Sequence, residues 1–120
     1  MAQGLSKQER LCSVTAIGSL MAKGRYVSRG CLRCCFLTRE SDVSRMLVSV
    51  PKRNFKRAVK RNLLKRRIRE SYRLQKELLP EGVTVDMMFI YTAKEVLPYD
   101  EIFLAMQQIL SVIGRGNAGK

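Results

Sequence analysis

Hydrophobic residues in the first third of the chain change from a helical spacing to a strand spacing. The helical apolar positions recur at intervals of three and four residues, and they are Val14, Ile17, Leu20 and Met21. Ser13 is a suitable N-cap for this helix, and Gly24 is a suitable end. Residues 31–38 and 46–50 are short apolar runs on either side of the polar segment 39–44. They predict two strands that pair antiparallel.

The second half of the chain shows a helix, a strand and another helix. Residues 55–79 contain no Gly or Pro, which predicts one long helix with Asn54 as its N-cap. Residues 83–91 predict a third strand. Asp100 precedes a last helix, whose apolar residues at helical spacing are Ile102, Phe103, Met106, Ile109, Leu110 and Ile113. Residues 114–120 predict a disordered tail.

The predicted order α-β-β-α-β-α indicates the fold class. Helices and strands in this order form an α+β domain, here a small two-layer sandwich with one sheet. A chain of 120 residues is long enough for one domain and too short for two of ordinary size. Residues 1–120 are therefore predicted to be a single domain with an ordered core over about residues 5–113.

Positive charge is concentrated in the predicted long helix and the segment before it. The formal net charge is +13, and twelve of the 23 Lys and Arg residues lie within residues 52–76, where Glu70 is the only acid. Such a cluster creates a local positive potential that captures phosphates by releasing their counterions. The distribution predicts a polyanionic partner, with nucleic acid first and an anionic membrane surface second.

The long helix separates an apolar face from a basic one when it is drawn at about 100° per residue. The apolar face consists of Leu64, Ile68, Tyr72 and Leu79, with Val59, Leu63 and Leu74 on an adjoining arc that can pack on the sheet. The basic sector consists of Asn62, Lys65, Arg66, Arg69, Arg73 and Lys76. A passively solvated face is the alternative. The charges have one sign, however, and their repulsion is tolerated more readily when a ligand supplies counter-charge.

The cysteines and the apolar runs argue against other classes of protein. Cys31 and Cys34 form a CxxC, but the chain has no His and no second cysteine pair at zinc spacing, so no metal site is predicted. Together with Cys12 and Cys35 they could form two disulfides, although reduced thiols in a cytoplasmic core are favoured. No apolar run is long enough to cross a membrane, and residues 1–30 lack a secretory signal. A cytoplasmic location is predicted.

Residues 55–70, with the sequence FKRAVKRNLLKRRIRE, closely resemble the signature of the bacterial ribonuclease P protein subunit. The marks of that signature are pairs at fixed spacing, here Ala58-Val59, Arg61-Asn62, Lys65-Arg66 and Arg69-Glu70. The resemblance extends to residues 48–53 before the helix and to Leu5, Lys7 and residues 9–11. It covers roughly residues 5–113.

The resemblance implies a small basic protein that joins a large catalytic RNA to remove the 5′ leader of precursor tRNA. In that family the RNA performs the hydrolysis with bound Mg²⁺, so the protein alone is expected to bind no cofactor, membrane or small-molecule substrate. The implied fold is an α+β sandwich similar to the second domain of a small-subunit ribosomal protein. Its long helix makes a left-handed βαβ crossover, where sequence pattern alone predicts a right-handed one.

The resemblance also implies two sets of site residues and no catalytic residue. The predicted RNA-binding residues are Lys52, Arg53, Lys56, Arg57, Lys60, Arg61, Asn62, Lys65, Arg66, Arg69 and Arg73. A cleft between the first helix and the sheet is expected to receive the single-stranded leader. Its predicted lining is Ile17, Met21, Cys35 and Phe36. Plain core packing is the alternative for this second set.

The chain departs from the family pattern at three positions. Leu63 stands where many members have a basic residue, and Ile17 and Met21 stand where many have aromatic residues. Aliphatic side chains cannot stack bases as an aromatic ring does, so leader affinity is expected to differ from that of other members.

Rival classes explain the sequence less well. A protein enzyme that acts alone would need clustered carboxylates, which the sequence lacks. A DNA-binding or membrane-surface protein would need a different helix pattern. A structural or ribosomal RNA-binding protein shares the composition, but an arbitrary basic helix would not be expected to reproduce the spacing of the residue pairs.

Overall fold

The computed structural model describes Leu11 and residues 14–39, 44–79 and 84–118, and these form three helices and four strands. The helices are α1 (Val14–Lys23), α2 (Ala58–Arg73) and α3 (Tyr99–Ala118), and a short 3-10 turn follows α2 at Lys76–Leu78. The strands are β1 (Arg25–Arg29), β2 (Leu32–Arg39), β3 (Arg45–Ser49) and β4 (Thr84–Tyr91). The predicted α+β class is confirmed. The predicted cap Ser13 lies outside the described residues.

The four strands form one mixed sheet in the order β1-β2-β4-β3. β4 is antiparallel to β2 and parallel to β3. The predicted antiparallel pairing of residues 31–38 with residues 46–50 is therefore wrong, because β4 lies between β2 and β3. Residues 85–89 of β4 are all buried, and a strand this apolar is most stable in the centre of a sheet. α2 connects the parallel neighbours β3 and β4, and the left-handed sense of that crossover stays a prediction.

β1 is a strand that the sequence pattern did not predict, so the described order is α-β-β-β-α-β-α. It is an edge strand whose residues are exposed except for the half-buried Val27. Its sequence RYVSR therefore has no apolar alternation to reveal it. Gly30 connects β1 to β2 with a φ of +54°, a backbone conformation that favours glycine.

α2 is shorter than the predicted helix at both ends. Its N-cap is Arg57, with extended backbone angles of −82° and 126°, so the prediction of Asn54 was wrong. The Asn54 and Phe55 amides donate instead to the carbonyls of Pro51 and Lys52, at 3.2 Å each. This turn buries the Phe55 ring against Tyr91, with 5.7 Å between ring centroids. Tertiary packing of Phe55 has overridden the helix propensity of residues 55–57.

Strand alternation divides the buried side chains between two faces of the sheet. We call the first the closed face, because α2 and α3 pack over it. Its strand residues include Leu32, Cys34, Met46, Val48, Val85, Met87, Phe89 and Tyr91. Five of the six predicted apolar residues of α3 are fully buried against it, and the sixth, Phe103, is half-buried.

The second face, which we call the open face, is covered over part of its area by α1. Leu11, Leu20, Cys35 and Met88 are buried there, with Ala16, Ile17, Leu37, Leu47 and Ile90 packed around them. The Leu11 amide donates to the Met46 carbonyl at 3.0 Å, which ties the segment before α1 to the edge strand β3. Arg45 and the buried Asp86 form a two-pronged ion pair on this face, at 2.9 and 3.0 Å.

The remaining predictions about the chain have mixed outcomes. α1 ends at Lys23, directly before Gly24 as predicted. α3 continues to Ala118, into the segment predicted as a disordered tail, because each added residue of an established helix gains a backbone hydrogen bond. Cys31, Cys34 and Cys35 are buried free thiols, as predicted, and Cys12 lies outside the described residues.

Within residues 14–39, 44–79 and 84–118 no group of Cys, Asp or Glu side chains is arranged to hold a metal ion. In the same part of the chain no helix has the length and hydrophobicity that a bilayer crossing requires.

Candidate nucleic-acid interface

α2 is oriented by three apolar side chains that point into the closed face. Leu64, Ile68 and Tyr72 are at most 1% exposed, and they recur at intervals of four residues, so one side of the helix is fixed against the sheet. The predicted adjoining arc does not pack as expected, since Val59 is 79% exposed and Leu74 is 49% exposed. The buried sector of α2 is narrower than predicted, and most of its circumference faces solvent.

The outward sector of α2 carries four of the predicted RNA-binding residues. Asn62, Arg66 and Arg69 are exposed and Lys65 is half-buried, and we call these four residues the basic face. No hydrogen bond or ion pair to another described residue is formed by these side chains. Lys52, Arg53, Lys56, Arg57 and Lys60 are also exposed, and they continue the positive charge around the amino end of α2.

Three arginines of the same segment form hydrogen bonds within the protein, and they are Arg61, Arg67 and Arg73. Arg61 donates to the carbonyl oxygens of Phe55 and Lys56, at 2.7 and 3.0 Å. Arg67 donates to the Leu97 carbonyl oxygen at 2.8 Å, which links α2 to the loop before α3. The predicted RNA-binding residue Arg61 thus fixes the entry to the helix. A sequence motif does not distinguish an arginine that bonds within the protein from one that is available to bind a ligand.

Arg73, another predicted RNA-binding residue, pairs with Glu70 one helical turn before it. Two hydrogen bonds of 2.6 and 3.2 Å join the guanidinium to the carboxylate. Hydrogen bonding to Arg73 lowers the pKa of Glu70, and the same contact raises the pKa of Arg73. The pair is neutral overall, so the positive potential of α2 is strongest in its first three turns.

A pocket of about 350 Å³ lies at the amino end of α2. Lys56, Arg57 and Lys60 line it from the helix side, and Lys94 and Glu95 line it from the loop after β4. Lys94 is a candidate phosphate contact that sequence reasoning missed. It lies 34 residues from Lys60 in the chain, and only the parallel pairing of β3 and β4 brings the two segments together.

The leader cleft is predicted between α1 and the sheet, which corresponds to the open face. The structure does not place all four predicted lining residues on that face. Cys35 is on the open face but has no exposed surface, because its thiol donates to the Leu20 carbonyl oxygen of α1 at 3.3 Å. Phe36 points to the closed face, since successive strand residues point to opposite sides. Ile17 is half-buried beside Cys35, and Met21 is 54% exposed. Phe36 is therefore not a cleft residue, and Cys35 supports the floor beneath α1.

Tyr26 and Arg33 occupy the part of the open face beside α1, and sequence reasoning missed both. Tyr26 pairs with Cys35 across β1 and β2, so its ring lies on the same side of the sheet as α1. The Arg33 guanidinium carbon is 4.5 Å from the centroid of the Tyr26 ring. Side-chain hydrogen bonding to Cys35 raises the pKa of the Tyr26 hydroxyl. Both residues could have been found only after β1 had been recognised as a strand.

The chain is similar to known proteins over nearly its whole length. A profile of the Ribonuclease P family matches residues 5–114. The ribonuclease P protein component of Porphyromonas gingivalis is 38% identical over 115 residues, which cover 89% of this chain and 84% of that relative. The corresponding protein of Borrelia hermsii is 30% identical over 105 residues, which cover 88% of this chain and 91% of the relative.

Solved structures have the same fold. The RNase P protein of Staphylococcus aureus superposes with a TM-score of 0.74 at 23% identity, covering 87% of this chain and 94% of that one. The RNase P protein of Thermotoga maritima also gives a TM-score of 0.74, at 24% identity, covering 86% and 96%. The chain belongs to the bacterial ribonuclease P protein family, the protein subunit of the endoribonuclease that processes the 5′ end of tRNA.

Proposed function

We propose that this protein binds the ribonuclease P RNA through the basic face and the charged amino end of α2, and the leader of precursor tRNA through the open face. The main support for RNA binding through the basic face is that its charged side chains are all positive and are not used inside the protein. Lys65, Arg66 and Arg69 project from two successive turns of α2 with no partner among the described residues. Cations grouped on one side of a helix can contact a run of backbone phosphates.

The chemistry of leader removal belongs in this proposal to the RNA and to Mg²⁺ ions that the RNA holds. The chain supplies cations to that assembly, and the carboxylates in the part of the chain that the structure describes are not grouped to hold a metal ion. Asp86 is buried in its pair with Arg45, and Glu70 is paired with Arg73. The protein contributes by neutralising phosphates where RNA segments approach one another, which lowers the Mg²⁺ concentration that the RNA needs. Because the proposed substrate is newly made precursor tRNA, we propose that the protein is located in the cytoplasm.

The test is cleavage of a precursor tRNA by a bacterial ribonuclease P RNA at low Mg²⁺, with and without this protein. We expect the protein to stimulate cleavage at the mature 5′ end. Tight RNA binding without stimulation would overturn the proposal and favour a structural RNA-binding protein.

A triple variant tests the basic face directly. Replacing Lys65, Arg66 and Arg69 by Gln removes three phosphate contacts, so the slope of log Kd against log salt for the RNA should fall by about two to three. Arg67→Gln is the matched control, because Arg67 is a cation of the same helix that is used internally. It should reduce the free energy of unfolding while it changes the salt slope by less than one. An unchanged slope in the triple variant would remove the basic face from the interface.

A further inference from the structure

Tyr26 differs from the other aromatic residues of the protein in its exposure. Phe55, Tyr72, Phe89 and Tyr91 are each at most 5% exposed, whereas Tyr26 is 46% exposed. Its ring is covered in part by the guanidinium of Arg33, which is itself exposed. A large aromatic surface and a flat cation are therefore presented together to solvent.

The position of this pair is fixed by the sheet. Arg33 pairs with Ser28 and Tyr26 pairs with Cys35, so the two side chains are diagonal neighbours on adjacent strands. Arg33 also lies opposite Ile90 of β4. Cys35 is held in turn to the Leu20 carbonyl of α1. The pair thus stands on the open face beside α1, where Ile17 and Met21 offer only aliphatic surface.

We propose that Tyr26 and Arg33 form a stacking platform for one unpaired base of the RNA leader, an inference that rests on the proposed function. An aromatic ring and a guanidinium plane both stack on nucleobases, and Arg33 adds attraction for the flanking phosphate. The platform supplies from β1 the flat surface that α1 does not provide. It recognises the face of a base, so it tolerates all four bases at one fixed distance from the cleavage site.

The test uses the holoenzyme assembled from this protein and a bacterial ribonuclease P RNA. Affinity is measured for precursor tRNA and for the same tRNA without a leader, and the ratio of the two isolates the leader. Tyr26→Ala should reduce that ratio on the order of tenfold, the effect of one stacked base. Tyr26→Phe should retain it, because the ring remains while the hydroxyl next to Cys35 is lost. Leu104→Ala, at an apolar side chain of α3 that is 51% exposed, is the control and should change nothing.

A set of leaders with a single abasic nucleotide locates the contact. With the unaltered protein, one abasic position should weaken binding on the order of tenfold. With Tyr26→Ala, the same abasic position should have no further effect, because base and ring act as one contact. Additive effects of the two changes would overturn the platform, and so would an unchanged leader ratio in Tyr26→Ala.

The two proposals fail in different ways. If the unaltered protein stimulates cleavage while Tyr26→Ala keeps its full leader ratio, the platform is wrong and the proposed function stands. If the unaltered protein neither stimulates cleavage nor distinguishes precursor from leaderless tRNA, both are wrong. A Tyr26→Ala variant that also loses affinity for the leaderless tRNA would show a general folding defect. The unaltered protein then decides, because the absence of any single abasic position that weakens leader binding would overturn the platform.

Discussion

The two faces of the sheet differ in how completely they are covered. On the closed face α2 and α3 bury an unbroken set of apolar side chains, among them Phe89 and Tyr72 with ring centroids 6.1 Å apart. On the open face α1 is only ten residues long and leaves Tyr26, Arg33 and part of Ile90 accessible. Adjacent residues of the same strand therefore differ in burial. In the proposed function, one of them contributes to stability and the other faces the RNA.

Phe89 and Ile90 give the most direct test of this contrast, because they are consecutive in β4. Phe89 is fully buried on the closed face, and Ile90 is half-buried on the open face. Phe89→Ala should reduce the free energy of unfolding by about 3–5 kcal/mol, and Ile90→Ala should cost less than about 2 kcal/mol. Urea unfolding followed by circular dichroism measures both. Equal losses would mean that the two faces are equally packed.

The consecutive cysteines of β2 give a second and smaller test. Cys34 lies under α2 and α3, whereas Cys35 is covered by α1. With the other cysteines replaced by Ser, a thiol reagent should label Cys35 on the order of tenfold faster than Cys34. The reason is that α1 alone must move to expose Cys35, and such local opening costs less free energy than global unfolding. Faster labelling of Cys34 would contradict the contrast.

The same thiols predict how stability depends on pH. Burial raises the pKa of Cys35 and raises that of Cys34 well above the ordinary value. The folded protein therefore keeps both thiols protonated at a pH where the unfolded chain has begun to ionise. The contribution of these thiols to the free energy of unfolding is fully present below the ordinary thiol pKa of about 8.5, and it is lost as the pH rises above that value. Replacing Cys34 by Ser should flatten that loss.

The substitution Met21→Phe tests the open face, and it has the smallest expected effect of these predictions. Met21 is 54% exposed, so a ring fits there without overpacking, and it would add an aromatic surface to the open face. Leader affinity, measured as the ratio for precursor over leaderless tRNA, should rise a few-fold. Ala22→Phe is the control, because Ala22 is the next residue and is exposed. A gain in the control as large as in Met21→Phe would count against the leader cleft.

Sequence reasoning succeeded where one element determines its own pattern. The period of Leu64, Ile68 and Tyr72 predicted the buried side of α2, and the spacing of the Arg-Asn and Lys-Arg pairs indicated the family. It failed where a distant element decides the outcome. β4 separates β2 from β3, so strands that are neighbours along the chain are not neighbours in the sheet.

The site residues divide along the same line. Lys65, Arg66 and Arg69 project outward as the helix period predicts. Arg61 has the same chemistry, but the Phe55 turn places two carbonyl oxygens within its reach. Tyr26 and Lys94 were missed because one lies on an edge strand without a pattern and the other on a loop beyond β4. No periodicity along the chain carries that information.

Gly24 determines how closely α1 approaches the sheet. A Cβ atom at this position would lie 2.4 Å from the Leu20 carbonyl oxygen and 2.7 Å from the Cys35 sulfur. Any other residue would force the carboxyl end of α1 away from β2 and break the contact that holds Cys35. The width of the gap beside α1 is thus set by a hydrogen atom in place of a side chain. We therefore expect substitutions of residues that line this gap to be tolerated more readily than any substitution of Gly24.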